Sequence, residues 1–254
     1  MPFGLVNAPA IASRTAALIL SGLNWIHCLV YIDDIIIHSR TEEEHIAQVA
    51  QVLNRIGKAG LKLKLIKCEF GVREVKYLGY IASSIGLRKD PEKLQAVKEW
   101  PRPVLGKEMH SFVAFCSFYR CFVRDFSTLA EPLQIYNSKS MREVEVDWSH
   151  EVIDSFDKLK VAMCEEVTLA YPDYSKEAGK FTVRCDAYPW GIGAVLGQLD
   201  KLGRFRPIEF ISRLLTETER KFHITEQEGL AMVWALNKWR GYLEGMEFDV
   251  YTDH

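Results

Sequence analysis

Two adjacent aspartates, Asp33 and Asp34, stand between two aliphatic runs in the stretch LVYIDDIIIHS, residues 29–39. Each run reads as a buried strand. A two-residue link between strands favours Asn-Gly, Asp-Gly or Gly-X, because the turn needs positive φ. Asp-Asp is sterically poor there, and two like charges beside apolar surface resist ionising together. Such a pair calls for a compensating partner. A second set of carboxylates lies far along the chain. In FTVRCDAY, residues 181–188, alternation puts Phe181, Val183 and Cys185 on one strand face and Asp186 on the other, at the strand end. Glu228 lies one helical turn before Met232, on the buried side of the stripe Met232, Ala235, Leu236, Trp239 and Leu243. The stretch FDVYTDH, residues 248–254, reads as a strand finishing in Asp253. Three carboxylates at element ends suit Mg²⁺ or Mn²⁺, hard ions that prefer oxygen ligands. A two-metal site of that kind activates water and stabilises the leaving oxygen of a phosphodiester. Simpler readings stand beside this one: Glu228 as the capping-box partner of Thr225, Asp186 opening a turn, and Asp253 as a solvated end.

The elements that must position these residues follow from periodicity and punctuation. Residues 9–23 are helix-like, and 29–31 with 35–38 form a hairpin. Thr41 opens a helix with Glu44 in the capping-box position and an apolar stripe of Ile46, Val49, Leu53 and Ile56, ended by Gly57 and Gly60. Short strands are expected over 61–66 and 75–81. Asp90-Pro91 is an N-cap followed by proline at the first helical position, and the helix should run to Trp100. The next helix carries Phe112, Phe115, Cys116, Tyr119 and Phe122. Such a row can stack on bases, but helical spacing favours core packing. Ser149 should cap a helix with Val152, Phe156, Leu159 and Met163 inward. A polar, turn-rich stretch at 169–180 marks a domain boundary there or just before the Ser149 helix. Strand, glycine-rich turn, strand, strand, helix and strand come after it.

Bulk properties narrow the function classes. The 254 residues suffice for two modest domains or one large one, and 48% hydrophobic with 26% charged residues is an ordinary core-forming composition. A formal net charge of -2 argues against a purely electrostatic nucleic-acid binder, so any such contact is local or metal-assisted. The cysteines Cys28, Cys68, Cys116, Cys121, Cys164 and Cys185 make no CxxC pair and read as small core residues of a reducing compartment. Charges interrupt every apolar run, so neither a signal peptide nor a membrane span is expected. The expected setting is intracellular, cytoplasmic or nuclear.

The ordered series MPFGLVNAPA, YIDD, GLKLKLIKCEFGVREVKYLGYIASSIGL, DPEKLQAVKEWPRP, SFVAFCSFYRCFVRDFSTLAEPL, GIGAVLGQ, ISRLLTETERKF and EQEGLAMVWALNKWRGYLEGMEFDVYTDH resembles the reverse transcriptase of gypsy-type LTR retrotransposons over nearly the whole chain. The resemblance implies a multidomain α+β and α/β fold: a partial reverse-transcriptase palm over 1–84, a helical thumb and connection over 85–147, and a truncated ribonuclease H-like mixed sheet with helices over 148–254, its core from about 172. It implies that Asp33 and Asp34 are the tip of the polymerase hairpin and hold Mg²⁺ (or Mn²⁺) for nucleotide addition, with Tyr31 beside them. Pro2, Phe3 and Gly4 match the segment lining the incoming-nucleotide pocket, and Tyr77, Leu78 and Gly79 the hairpin that grips the primer end. Lys62, Lys64 and Lys67 alternate on the expected strand, suited either to phosphate contact or to a solvated face. Asp186, Glu228 and Asp253 fall on the ribonuclease H carboxylates, for metal-activated water attacking the RNA of an RNA–DNA hybrid. The implied partners are an RNA template, a DNA primer, the hybrid, dNTPs and the remainder of a polyprotein, in the virus-like particle of the parent element and without a membrane.

The chain also departs from that pattern. Ala12 and Ser13 replace an aromatic–glutamine pair, CDAYPW lacks the usual threonine and serine around its aspartate, and Gly229 replaces leucine at a helix-propensity cost of about 1 kcal/mol. The first palm aspartate would lie upstream of the first residue and the fourth ribonuclease H acidic residue downstream of the last. The expectation is therefore a fragment with impaired activity; the alternatives are a nucleic-acid-binding remnant without chemistry, or a decayed fragment.

Overall fold

The computed structural model describes residues 6–253, so Pro2, Phe3 and Gly4 lie outside the described residues. The chain forms two compact units, Met1–Tyr77 and Leu78–His254. Among the described residues no helix is long and apolar enough to cross a membrane.

The first unit contains α1 (Ala8–Ile19), β1 (Cys28–Tyr31), β2 (Asp34–Ile37), α2 (Glu42–Lys58) and β3 (Glu74–Tyr77). Helix α1 stops earlier than its apolar pattern predicts, and Gly22 at φ +80° turns the chain so that Leu20 and Leu23 pack beside Cys28. Helix α2 begins as expected: the Thr41 hydroxyl accepts from the Glu44 amide at 3.2 Å. Glu42, Glu43 and Glu44 in the first turn and Arg55 and Lys58 in the last oppose the helix dipole at both ends. Its buried face differs from the predicted stripe. Val52 and Ile56 are buried, whereas Ile46 is 65% and Leu53 37% exposed. The helix is rotated because its inner face also carries polar contacts: Gln48 hydrogen-bonds His27 at 3.0 Å and reaches Ser39.

The expected strand over 61–66 does not form. Residues 61–64 pair with no strand, and Leu65–Lys67 is a short 3₁₀ turn closed by the bonds Lys67 N to Lys64 O and Cys68 N to Leu65 O. Lys62, Lys64 and Lys67 are therefore exposed on an irregular segment and not on one strand face. Alternating lysine and leucine mimics strand periodicity, but without a partner ladder the backbone satisfies itself locally.

The second unit contains β4 (Tyr80–Ser83), β5 (Gly86–Lys89), α3 (Pro91–Lys98), α4 (Gly106–Phe118), α5 (Phe126–Ala130), α6 (His150–Cys164), β6 (Thr168–Leu169), β7 (Phe181–Tyr188), β8 (Gly191–Leu199), β9 (Phe205–Leu214), α7 (Ile224–Lys238), α8 (Arg240–Leu243) and β10 (Phe248–Tyr251). Strand β4 pairs antiparallel with β5, and β5 with β6. Gly86, at φ +135°, is needed where these strands meet, since a Cβ there would lie 2.1 Å from the Leu169 carbonyl oxygen. Asp90 caps α3 by accepting from the Glu92 amide at 3.0 Å. The aromatic row on and after α4 is core, as helical spacing favours: Phe112, Cys116, Tyr119 and Phe122 are at most 2% exposed. Phe112 meets Phe156 of α6 with ring centroids 4.5 Å apart. Val152, Leu159 and Met163 complete that face of α6, although the Ser149 side chain makes no capping bond. All six cysteines are free thiols.

The last sheet has the order β10-β7-β8-β9, with β7, β8 and β9 antiparallel and β10 parallel to β7. The glycines expected in a turn lie instead inside β8; the β7–β8 link is Pro189–Trp190. One face of β7, carrying Phe181, Val183 and Cys185, packs with Ala231, Ala235 and Trp239 of the α7 region. The segment around α5 contacts β9 on the sheet, where the Ser127 amide donates to Ser212 Oγ at 2.9 Å and Ser127 Oγ to the Ser212 carbonyl at 2.8 Å. These bonds satisfy polar groups that would otherwise be buried without partners.

Between β9 and α7, Glu219 accepts from both Arg213 Nη atoms, at 2.7 and 2.9 Å, and from the Thr216 amide at 2.8 Å. Arg213, first, and the Thr216 amide pull its carboxyl down from an ordinary 4.5 to about 2. Its folded pKa lies below its unfolded one, so the stabilisation is complete above pH 4.5 and is lost as pH falls toward 2. Glu219→Gln should cost about 1 kcal/mol at neutral pH, allowing for solvent screening of the pair. Urea titrations from neutral pH down to pH 2 check this: the difference from wild type should shrink across that acid window, and a difference that stays constant would contradict it.

Candidate functional site

The first predicted site is the hairpin of the first unit. Register pairs Tyr31 with Asp34, so the turn is Ile32–Asp33 and Asp34 is the first residue of β2. This corrects the expectation that Asp33 and Asp34 together bear the turn strain. The strained residue is Ile32, at φ +54°. A β-branched side chain in the left-handed region costs about 1–3 kcal/mol, which the surrounding structure must offset. Asp33, Asp34 and Tyr31 are all exposed at this tip. Tyr77 sits close enough that its hydroxyl pKa is raised, by burial first and then by Asp34 and Tyr31. The hairpin tip thus brings together Tyr31, Asp34 and Tyr77 of the predicted set. Leu78 and Gly79 belong to the second unit and both have left-handed backbone, at φ +50° and +81°. Gly79's carbonyl accepts from the Tyr119 hydroxyl at 2.7 Å.

The second predicted site lies at one end of the last sheet. Glu228 is 4% exposed. Its predicted role as a capping-box partner of Thr225 is not what forms: the helix is capped by His223 and Glu226, with Glu226 Oε2 accepting from the His223 amide at 2.9 Å. Glu228 therefore has no helix-starting duty. Its Oε1 accepts from the Ala187 amide at 3.1 Å and its Oε2 from the Thr252 hydroxyl at 2.8 Å. Ala187 follows Asp186, and Thr252 precedes Asp253. Parallel pairing sets Tyr251 opposite Arg184 where β10 ends, and Thr252 and Asp253 follow beyond the paired residues. The two bonds of Glu228 thus tie α7 to the backbone beside Asp186 and to the residue before Asp253. Asp186 lies inside β7 rather than at its end, paired with Gly193, and Asp253 is exposed beyond β10. Among the described residues, no three His, Cys, Asp or Glu side chains are gathered into a metal-holding cluster. The donors at this corner are all carboxylate oxygens, the chemistry a hard divalent cation prefers.

Four residues near Asp186 and Glu228 were not expected from the sequence. Thr252 holds Glu228, as above. Arg124 Nη2 lies 3.3 Å from Asp186 Oδ2, and Arg124 Nε lies 3.4 Å from Asp125 Oδ2. Burial, first, raises the Asp125 pKa; Tyr188 and Arg124 act against it, and Asp186 adds to it. Burial, first, and then Asp125 raise the Tyr188 hydroxyl above its ordinary pKa. Nothing local in VRDFS signals this, because Arg124 and Asp186 are 62 residues apart.

Two segments of the chain match models of known protein families. A family model described as "Reverse transcriptase (RNA-dependent DNA polymerase)" matches residues 1–82, and one described as "RNase H-like domain found in reverse transcriptase" matches residues 148–250. The retrovirus-related Pol polyprotein from transposon opus of Drosophila melanogaster is 39% identical over 264 residues, covering 100% of this chain and 26% of that protein. The corresponding polyprotein from transposon gypsy of the same species is 37% identical, covering 100% of this chain and 25% of that protein. The chain thus spans about a quarter of the length of these curated relatives. Among solved structures, the foamy viral protease-reverse transcriptase in complex with an RNA/DNA hybrid superposes with TM-score 0.82 at 26% identity, covering 100% of this chain and 33% of that one. The same viral protein in complex with double-stranded DNA gives TM-score 0.84 at 26% identity, covering 100% and 52%. The mixed helices and sheets described above are those of this fold, and the chain belongs to the reverse transcriptase and RNase H-like region of gypsy-type LTR retrotransposon Pol polyproteins.

Proposed function

We propose that this chain carries two metal-dependent phosphodiester sites: a hybrid-cleaving ribonuclease corner at Asp186, Glu228 and Asp253, and the hairpin of an RNA-directed DNA polymerase at Asp33 and Asp34. In this reading residues 1–84 are palm, 85–147 thumb and connection, and 148–254 the ribonuclease H-like domain. The observation that carries it is the double hydrogen bond of buried Glu228 to the Ala187 amide and the Thr252 hydroxyl, which ties α7 to the residue after Asp186 and to the residue before Asp253.

The side chains have separable tasks. Glu228 has both oxygens fixed, so its carboxylate needs no reorganisation when a cation arrives. Asp186, which Arg124 contacts at 3.3 Å, and Asp253 are the other two proposed donors. Mg²⁺ or Mn²⁺, when bound, supplies an activated water and neutralises charge on the leaving oxygen. An RNA–DNA hybrid is the proposed substrate, told from DNA duplex by its 2′-hydroxyls and A-like groove. In the polymerase half, Asp33 and Asp34 would hold the cation for dNTP addition to a DNA primer on an RNA template. Tyr31 and Tyr77 shape the surface beside them, and Leu78 and Gly79 the primer end. Pro2, Phe3 and Gly4 would line the nucleotide pocket. Exposed Lys62, Lys64 and Lys67 are free to meet phosphates.

The test is release of labelled RNA from a hybrid in Mg²⁺ or Mn²⁺, comparing the chain with Asp186→Asn. Cleavage by the wild type that is lost in the variant and on chelation is expected. Equal cleavage by both proteins would remove Asp186 from the site. Hybrid binding without any cleavage, insensitive to EDTA and weakened by salt, would leave only a binding module.

A further inference from the structure

The loop before α5 reaches across the sheet to Asp186. Asp125 adopts a left-handed backbone at φ +55°, a conformation aspartate tolerates better than most residues. Its carboxylate sits over Gly193: a Cβ at that position would meet Asp125 Oδ1 at 2.5 Å. Gly193 is the direct ladder partner of Asp186, and direct partners on one face have Cβ positions about 5 Å apart. Asp125 thus fills the space that a side chain at 193 would take, beside Asp186. Between the two carboxylates lies one guanidinium, with contacts of 3.4 Å to Asp125 and 3.3 Å to Asp186. Arg124 supplies to this pair the positive charge that a bound cation would otherwise bring. Its side chain is 70% exposed, against 26% for Asp125 and 27% for Asp186. The guanidinium can therefore swing into solvent without unpacking the carboxylates.

We infer that Arg124 and Asp125 are positioning residues for the ribonuclease corner: Asp125 holds the guanidinium, the guanidinium holds Asp186, and a divalent cation must displace Arg124 before Asp186 can serve as its ligand. This rests on the reading of Asp186 as a cation ligand. It assigns Gly193 a purpose, because any side chain there would push Asp125 away. It also makes cation affinity, and not only turnover, depend on a residue from the connecting segment.

The experiment is Mn²⁺ binding to the full chain, read from the electron paramagnetic resonance of free Mn²⁺ at low ionic strength. Far-UV circular dichroism serves as the check that each variant is folded. Arg124→Ala should bind Mn²⁺ more tightly, on the order of fivefold, the size expected on removing one exposed competing charge. Arg124→Lys should return the affinity toward wild type, and the gap should narrow at high salt. In an Asp186→Asn background, Arg124→Ala should bring no gain. Unchanged affinity in Arg124→Ala, with Asp186→Asn still weakening binding, would overturn the displacement and leave the site itself standing. Unchanged affinity in Asp186→Asn would overturn both.

Discussion

Trp239→Ala should destabilise the second unit by about 3–5 kcal/mol, the range for emptying a buried large aromatic site. Trp239 is 1% exposed and is among the largest fully buried side chains. It packs with Ala231 and Ala235 against Phe181, Val183 and Cys185 of β7, which is the contact that holds α7 on the sheet. Its indole also donates to Glu209 Oε2 at 2.8 Å. Losing that donor adds about 1 kcal/mol to the cavity cost. Trp239→Phe keeps most of the ring and loses the donor, so it should cost clearly less than alanine. Urea unfolding followed by circular dichroism reads both. An alanine variant within about 1 kcal/mol of wild type would mean that α7 is held by something other than this side chain.

Glu228→Gln should leave the fold nearly as stable as wild type while reducing hybrid cleavage by about 10²–10³-fold, a few kcal/mol of cation-mediated charge stabilisation. Glutamine is nearly the same shape. Its oxygen still accepts from the Ala187 amide, and its amide nitrogen faces the Thr252 hydroxyl, which rotates to accept. What disappears is the negative charge. Glu228→Ala is the contrasting case: it strands the Ala187 amide and the Thr252 hydroxyl, at about 1–3 kcal/mol for each group left unsatisfied. The pair of variants separates the two roles of one side chain. A glutamine variant that unfolds with alanine's ease, or one that cleaves like wild type, would each break the assignment.

Much of the fold was legible because its signals are local. The Thr41 and Asp90 caps, the apolar spacing of α4 and α6, and the inward side of α7 each depend on residues within a turn or two. The misreadings arose where partners decide. LKLKL alternates like a strand, yet with no neighbouring strand it stays irregular. Ile46 and Leu53 fit a helical stripe, but the polar contacts of Gln48 set the face of α2 elsewhere. Thr225 is spaced correctly from Glu228 to cap, yet α7 starts one residue before it, with His223 and Glu226 forming the cap. At the candidate site, the placement of Glu228 on the buried side followed from periodicity. Its bonds to Ala187 and Thr252, and the approach of Arg124 and Asp125 to Asp186, depend on chain segments far apart in sequence, and no spacing rule reaches that far.

In the proposed function Asp186, Glu228 and Asp253 share a divalent cation. Anomalous diffraction from crystals of the chain grown in Mn²⁺ tests it without reference to turnover. The expected result is an anomalous peak beside Glu228 of α7, within about 2.0–2.3 Å of carboxylate oxygens from Asp186 and Glu228 and with Asp253 drawn toward it. A well-ordered corner that carries no peak, with manganese bound only elsewhere on the molecule, would contradict it.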